Sequence, residues 1–134
     1  MIKIKNPTII LLIVLSSMAY IGIAFADTIS EPDIIGIKIA PATLNLNLEA
    51  PLVTVHANIA YNKVNTSTLE LDGISPIYTF SDDCGNLVAK FDPLLVREKV
   101  TLPEAILMLT GKTKDEISFK GSDTVQVIDP PGKK

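Results

Sequence analysis

The sequence predicts an all-β domain, an antiparallel β-sandwich, and three observations carry that prediction. Apolar and polar residues alternate in run after run. The runs recur at spacings near 8–12 residues, with proline and glycine between them. The single helical segment is short, whereas a doubly wound α/β fold needs several helices of about 10–15 residues.

The first segment, "MIKIKNPTIILLIVLSSMAYIGIAFAD", lies outside that domain. Lys3 and Lys5 precede an uncharged run from Thr8 to Ala26 that closes on Ala24-Phe25-Ala26. This is the pattern of a secretory signal peptide, residues 1–26, cut before Asp27. The run is also close to the roughly 20 residues that span a bilayer, so the alternative is an uncleaved membrane anchor, an N-terminal helix through residues 8–26. Either way the basic end stays inside and the rest is delivered outside the cytoplasm. Residues 27–33 form a linker, 34–129 the sandwich, and 130–134 a tail.

Within the domain, "IIGIKIA" sets Ile35, Ile37 and Ile39 on one face and Gly36, Lys38 and Ala40 on the other. "TLNLNLEA" alternates Leu44, Leu46 and Leu48 with Asn45, Asn47 and Glu49, and Pro41 and Pro51 bound it because proline cannot donate to a sheet ladder. "PLVTVHANIAY" turns Val53, Val55, Ala57 and Ile59 inward and Thr54, His56 and Asn58 outward. "TSTLELDG" turns Leu69 and Leu71 inward and ends in the Asp72-Gly73 turn signal. "IYTF" is a short strand, and "NLVAKFD" sets Leu87, Ala89 and Phe91 against Val88, Lys90 and Asp92. "DPLLVREKV" is the one helix, near 93–99, because Asp92 can cap it and Pro93 suits its first position. "AILMLTG", apolar without alternation, predicts a central strand covered on both sides. "ISFKGSDTVQVID" closes the domain with Val125 and Val127 inward and Gly121 at a bulge or bend.

Composition narrows the function. The chain has net charge −3, and the mature part is more acidic still once Lys3 and Lys5 leave. Arg97 is its sole arginine. A nucleic-acid partner is therefore not expected, because phosphate neutralisation takes clustered Lys and Arg. Cys84 is the sole cysteine, so an intrachain disulfide is excluded and the apolar core must hold the fold.

Along "IKIAPATLNLNLEA", "VNTSTLELDG", "NLVAKFD" and "LTGKTKDEISFKGSDTVQVI" the chain resembles a family of exported Ig-like β-sandwich domains of unassigned function in bacterial and archaeal extracellular proteins. The resemblance runs from about Ile35 to Ile128. Its most specific part is the closing motif, with Leu109, Thr110, Gly111, Asp115, Phe119, Gly121, Asp123, Val125 and Val127. It implies an Ig-like sandwich. Two departures stand out. A longer acidic loop of many members is shortened here to "SDDCGNL", with Asn86 where its last aspartate would fall, and the closing turn reads Asp115-Glu116 instead of Asp-Gly.

The candidate sites are few. Calcium wants six to eight oxygens at about 2.3–2.6 Å, delivered at alternate loop positions. In "SDDCGNL" neither register supplies them, which leaves Asp82, Asp83 and Asn86 as weak metal candidates and an acidic tight turn as the plainer reading. Cys84, expected at the tip of that turn, is a candidate for an intermolecular disulfide. Catalysis by Cys84 would want a histidine beside it, and the only histidine, His56, is expected on the polar face of another strand. One His and one Cys do not make a zinc site. Asn65-Thr66-Ser67 is an N-glycosylation acceptor in an expected loop. Tryptophan is absent, and the aromatics Tyr61, Tyr78, Phe80, Phe91 and Phe119 give a sugar platform little support.

The expectation is a non-enzymatic structural or protein-interaction module, without cofactor, at the outer face of the cell envelope. Its partner would be another envelope or extracellular protein. The alternative is a calcium- or glycan-binding module.

Overall fold

The computed structural model describes residues 31–47 and 51–131. The expectations for residues 1–26, and for Leu48 and Glu49, lie outside the described residues. Two sheets enclose one apolar core. The first is built from β4 (Val53–Ala60), flanked by β2 (Ile37–Ala40) and β7 (Asn86–Phe91), with β6 (Tyr78–Ser81) beyond β7. The second has β8 (Glu104–Thr113) between β5 (Val64–Leu71) and β9 (Ser118–Ile128), and two short strands, β1 (Asp33–Ile34) and β3 (Thr43–Asn45), on the far side of β9. A 3-10 turn, Tyr61–Lys63, joins β4 to β5.

The core is made by the alternation read from the sequence. Ile39, Val53, Val55, Ala57, Leu87, Ala89 and Phe91 from one sheet meet Leu44, Leu69, Leu71, Leu107, Leu109, Phe119, Val125 and Val127 from the other, all buried. At about 25 cal/mol per Å² of apolar surface, burial of this set is the main term favouring the fold. Helix α1 (Pro93–Arg97) begins as expected: Asp92 accepts a hydrogen bond from the Leu94 amide, and proline occupies the first turn. It is one turn long and turns Val96 into the core.

Four expectations are corrected. First, "IIGIKIA" is not one strand. The chain pairs with β9 as β1, crosses to the other sheet as β2, and returns as β3. Because it travels in the same direction throughout, both pairings with β9 are parallel. Second, Gly121 is at neither a bulge nor a bend, since β8 and β9 stay in register from Glu104↔Gln126 to Lys112↔Ser118. It is small because the chain crosses there: a Cβ would lie 2.5 Å from the Ile35 carbonyl oxygen. Third, the "AILMLTG" strand is central but, among the described residues, covered on one side only, and Ile106 is 68% exposed. Fourth, Val88, expected on the wet face, is 1% exposed.

Candidate interaction face

The outer face of the β2-β4-β7-β6 sheet gathers the chemistry. Register places Phe80, Val88, His56 and Lys38 in one row across the sheet, and Tyr78, Lys90, Thr54 and Ala40 in the next. Tyr78 and Phe80, two residues apart on one strand, fall on the same face. Their rings stack with centroids 6.0 Å apart, and they remain 50% and 40% exposed. Between Phe80 and His56, Val88 is cut off from water, which is why an outward residue is buried. Lys90 lies over Thr54 and donates from Nζ to its hydroxyl at 2.7 Å, so Thr54 is buried with its oxygen satisfied. Lys38 and His56 are exposed. Beside them is a shallow depression of about 350 Å³, also bordered by Asn58, Asp82 and Asn86. Within the two rows every ionisable side chain is basic or phenolic.

The "SDDCGNL" segment is the β6–β7 hairpin. The Asp82 amide donates to the Asn86 carbonyl, the Gly85 amide donates to the Asp82 carbonyl, and Gly85 takes a φ of 86°. Asp82 Oδ1 accepts from the amides of Cys84 and Asn86 at 2.8 and 2.9 Å. One oxygen of Asp82 therefore holds the turn. Asp83 and Cys84 are exposed at the tip. Among the described residues, no three His, Cys, Asp or Glu side chains gather in a geometry that would hold a metal. Asp82 and Asn86 are brought together with His56 around the depression, but Cys84 does not border it.

Asn65 departs from its expected loop. It lies in β5, at the start of a register shift between Asn65 and Glu70. Its Oδ1 accepts from the amide and hydroxyl of Ser67, at 3.3 and 2.7 Å. Local Asx bonding of this kind competes with ladder pairing, which accounts for the irregularity.

The sequence reading passed over the pairing of Tyr78 and Phe80 with Val88 and Lys90. The signal was present: "IYTF" alternates, so its two aromatics share a face. Only the register brings them beside Lys90 and into one row with His56. No family model, curated protein or solved structure matches this chain.

Proposed function

We propose that this chain is an exported, Ig-like β-sandwich that serves as a non-enzymatic structural or protein-interaction module at the outer face of the cell envelope. Residues 1–26 would be removed after export, or kept as its anchor. The observation that carries the interaction reading is the exposed, stacked Tyr78–Phe80 pair, with Lys90 beside Tyr78 and with His56 and Lys38 farther along the same face. Tyr and Phe are enriched at protein interfaces inside a polar rim, and isolated apolar exposure would carry no such meaning. The basic character of the face in an acidic chain favours an acidic partner.

The test is cross-linking capture from the native envelope fraction, comparing the wild-type chain with Tyr78→Ala plus Phe80→Ala. The reading expects a specific captured protein that the double variant loses. An identical captured set from both sinks it, as would turnover of a hydrolase substrate that depends on Cys84 or His56. The mass of the envelope-associated chain distinguishes cleavage before Asp27 from a retained anchor.

The same aromatic pair favours a second reading, glycan binding, because stacked rings offer apolar sugar faces a platform. Heat of titration with cell-wall polysaccharide that disappears in Tyr78→Ala would favour it over a protein partner. Calcium titration of wild type and Asp82→Ala plus Asp83→Ala tests the remaining alternative.

A further inference from the structure

The strand pairings at the seam of the sandwich have a direction. β1 lies beside the start of β9, with Asp33 opposite Phe119, and β3 lies beside its end, with Asn45 opposite Ile128. The chain therefore enters the domain at one end of β9 and leaves it at the other, about 30 Å away at roughly 3.3 Å per residue. Tension that draws entry and exit apart acts along the strand axis. It pushes β1 and β3 backward against a β9 pulled forward.

In that geometry the bonds across the seam are loaded together. The Ile35 amide donates to the Lys120 carbonyl at 2.9 Å, the Gln126 amide to the Ala42 carbonyl at 2.8 Å, and the Leu46 amide to the Ile128 carbonyl at 2.9 Å. Between these pairings, Asp123 Oδ2 accepts from the Ile39 amide at 2.9 Å, tying β9 to the crossing segment. Beyond them, the Asn47 side-chain amide donates to the Pro130 carbonyl. Gly121 lets the Ile35 carbonyl approach so closely that any side chain there would part the two segments. A hairpin opened from its free end breaks its bonds one by one, whereas within each of these pairings the bonds lie across the pulling direction and share the load.

We propose that the domain bears mechanical load: tension entering at Asp33 and leaving at Ile128 is taken in shear by the parallel pairings of β1 and β3 with β9. This deepens the structural side of the function proposed above and rests on that reading only for its setting at the envelope. The force measurement uses the isolated chain, so loss of a captured partner leaves it unaffected.

Single-molecule pulling tests it directly. The full chain, in a Cys84→Ser background and in detergent if the leader is retained, carries handle cysteines at Glu31 and Pro131 for the shear direction. A second version carries them at Ser75 and Leu94, which peels β6 from β7. The first rupture force is expected to be severalfold higher in the shear direction. Gly121→Ala should lower the shear force while leaving the peeling force unchanged, and Asp123→Ala serves if that variant fails to fold. Equal rupture forces in the two directions, or a shear force unchanged in the variant that folds, overturns the proposal.

Discussion

Glu116 occupies a position built for glycine, and replacing it should stabilise the protein. The β8–β9 hairpin repeats the β6–β7 hairpin atom for atom in its turn bonds. The Thr113 amide donates to the Ile117 carbonyl, the Glu116 amide donates to the Thr113 carbonyl, and Thr113 Oγ1 accepts from the amides of Asp115 and Ile117. Where the first hairpin has Gly85 at φ 86°, the second has Glu116 at φ 68°. Left-handed backbone costs a non-glycine residue about 1–2 kcal/mol. Glycine loosens the unfolded chain, which takes back about 0.4–1 kcal/mol. The Lys112–Glu116 ion pair, 3.8 Å long with both side chains at least half exposed, contributes no more than a few tenths of a kcal/mol. Glu116→Gly should therefore gain about 0.5 kcal/mol, or about 2–4 °C in Tm for a domain of this size. Glu116→Ala is the control, since it loses the same ion pair and keeps the strain. Thermal and urea unfolding should rank Gly above Ala by about 1 kcal/mol. Gly no more stable than Ala at this position would refute the strain argument.

Other outcomes follow from the same geometry. Phe91→Ala and Val125→Ala should each destabilise by about 2–5 kcal/mol in urea unfolding, whereas Lys90→Ala, which frees one hydroxyl near the surface, should cost about 1 kcal/mol or less. Comparable small losses at all three positions would mean that the β7 and β9 faces are misassigned. Gly121→Ala should cost more than Gly111→Ala, because the new methyl meets backbone at Gly121 but the ends of the Phe119 and Leu69 side chains at Gly111; the reverse order would refute the close crossing. Cys84, exposed at the hairpin tip, should react with a thiol reagent as fully in the folded protein as in urea. Non-reducing gels of envelope material should show a reducible band that Cys84→Ser removes if the thiol crosslinks in place, and protection in the folded state would contradict the tip placement.

Much of the sandwich was legible because burial on one face writes a period of two into each strand. Val53, Val55 and Ala57, Leu69 and Leu71, and Val125 and Val127 all point as their spacing requires. Asp92 and Pro93 announced α1, and Asp72-Gly73 announced a turn in which both residues take positive φ. Features set by distant parts of the chain were not legible. Nothing local says that the run from Ile34 to Ala40 changes sheets, because alternation persists across the crossing. Gly121 looked like a bend, since a sequence does not display the carbonyl that another segment brings to it. Val88 is covered by neighbours on two other strands, and register alone supplies them. Ile106 and Met108 made β8 read as doubly covered, although their face is open among the described residues. The candidate face was the least legible part, being a property of strand order more than of any one segment.

The irregularity in β5 bears on how the protein stays dispersed. With β8 on one side and β1 and β3 on the other, β9 offers little free edge, which leaves β5 as the longest open border of its sheet among the described residues. The outward amides and carbonyls of an edge strand are a template for another chain, and in β5, eight residues long, those of Leu71 are already bonded to Ile74. The shift between Asn65 and Glu70 breaks that template. Thr68 Oγ1 donates to the Asn65 carbonyl and accepts from the Lys112 amide, so a side chain takes a place in the β5–β8 ladder that backbone would fill in a straight strand, and the edge is left irregular. A glycan added at Asn65 would stand on this same border. Straightening β5 would therefore trade solubility for a more regular sheet, and crowded conditions would expose that exchange first.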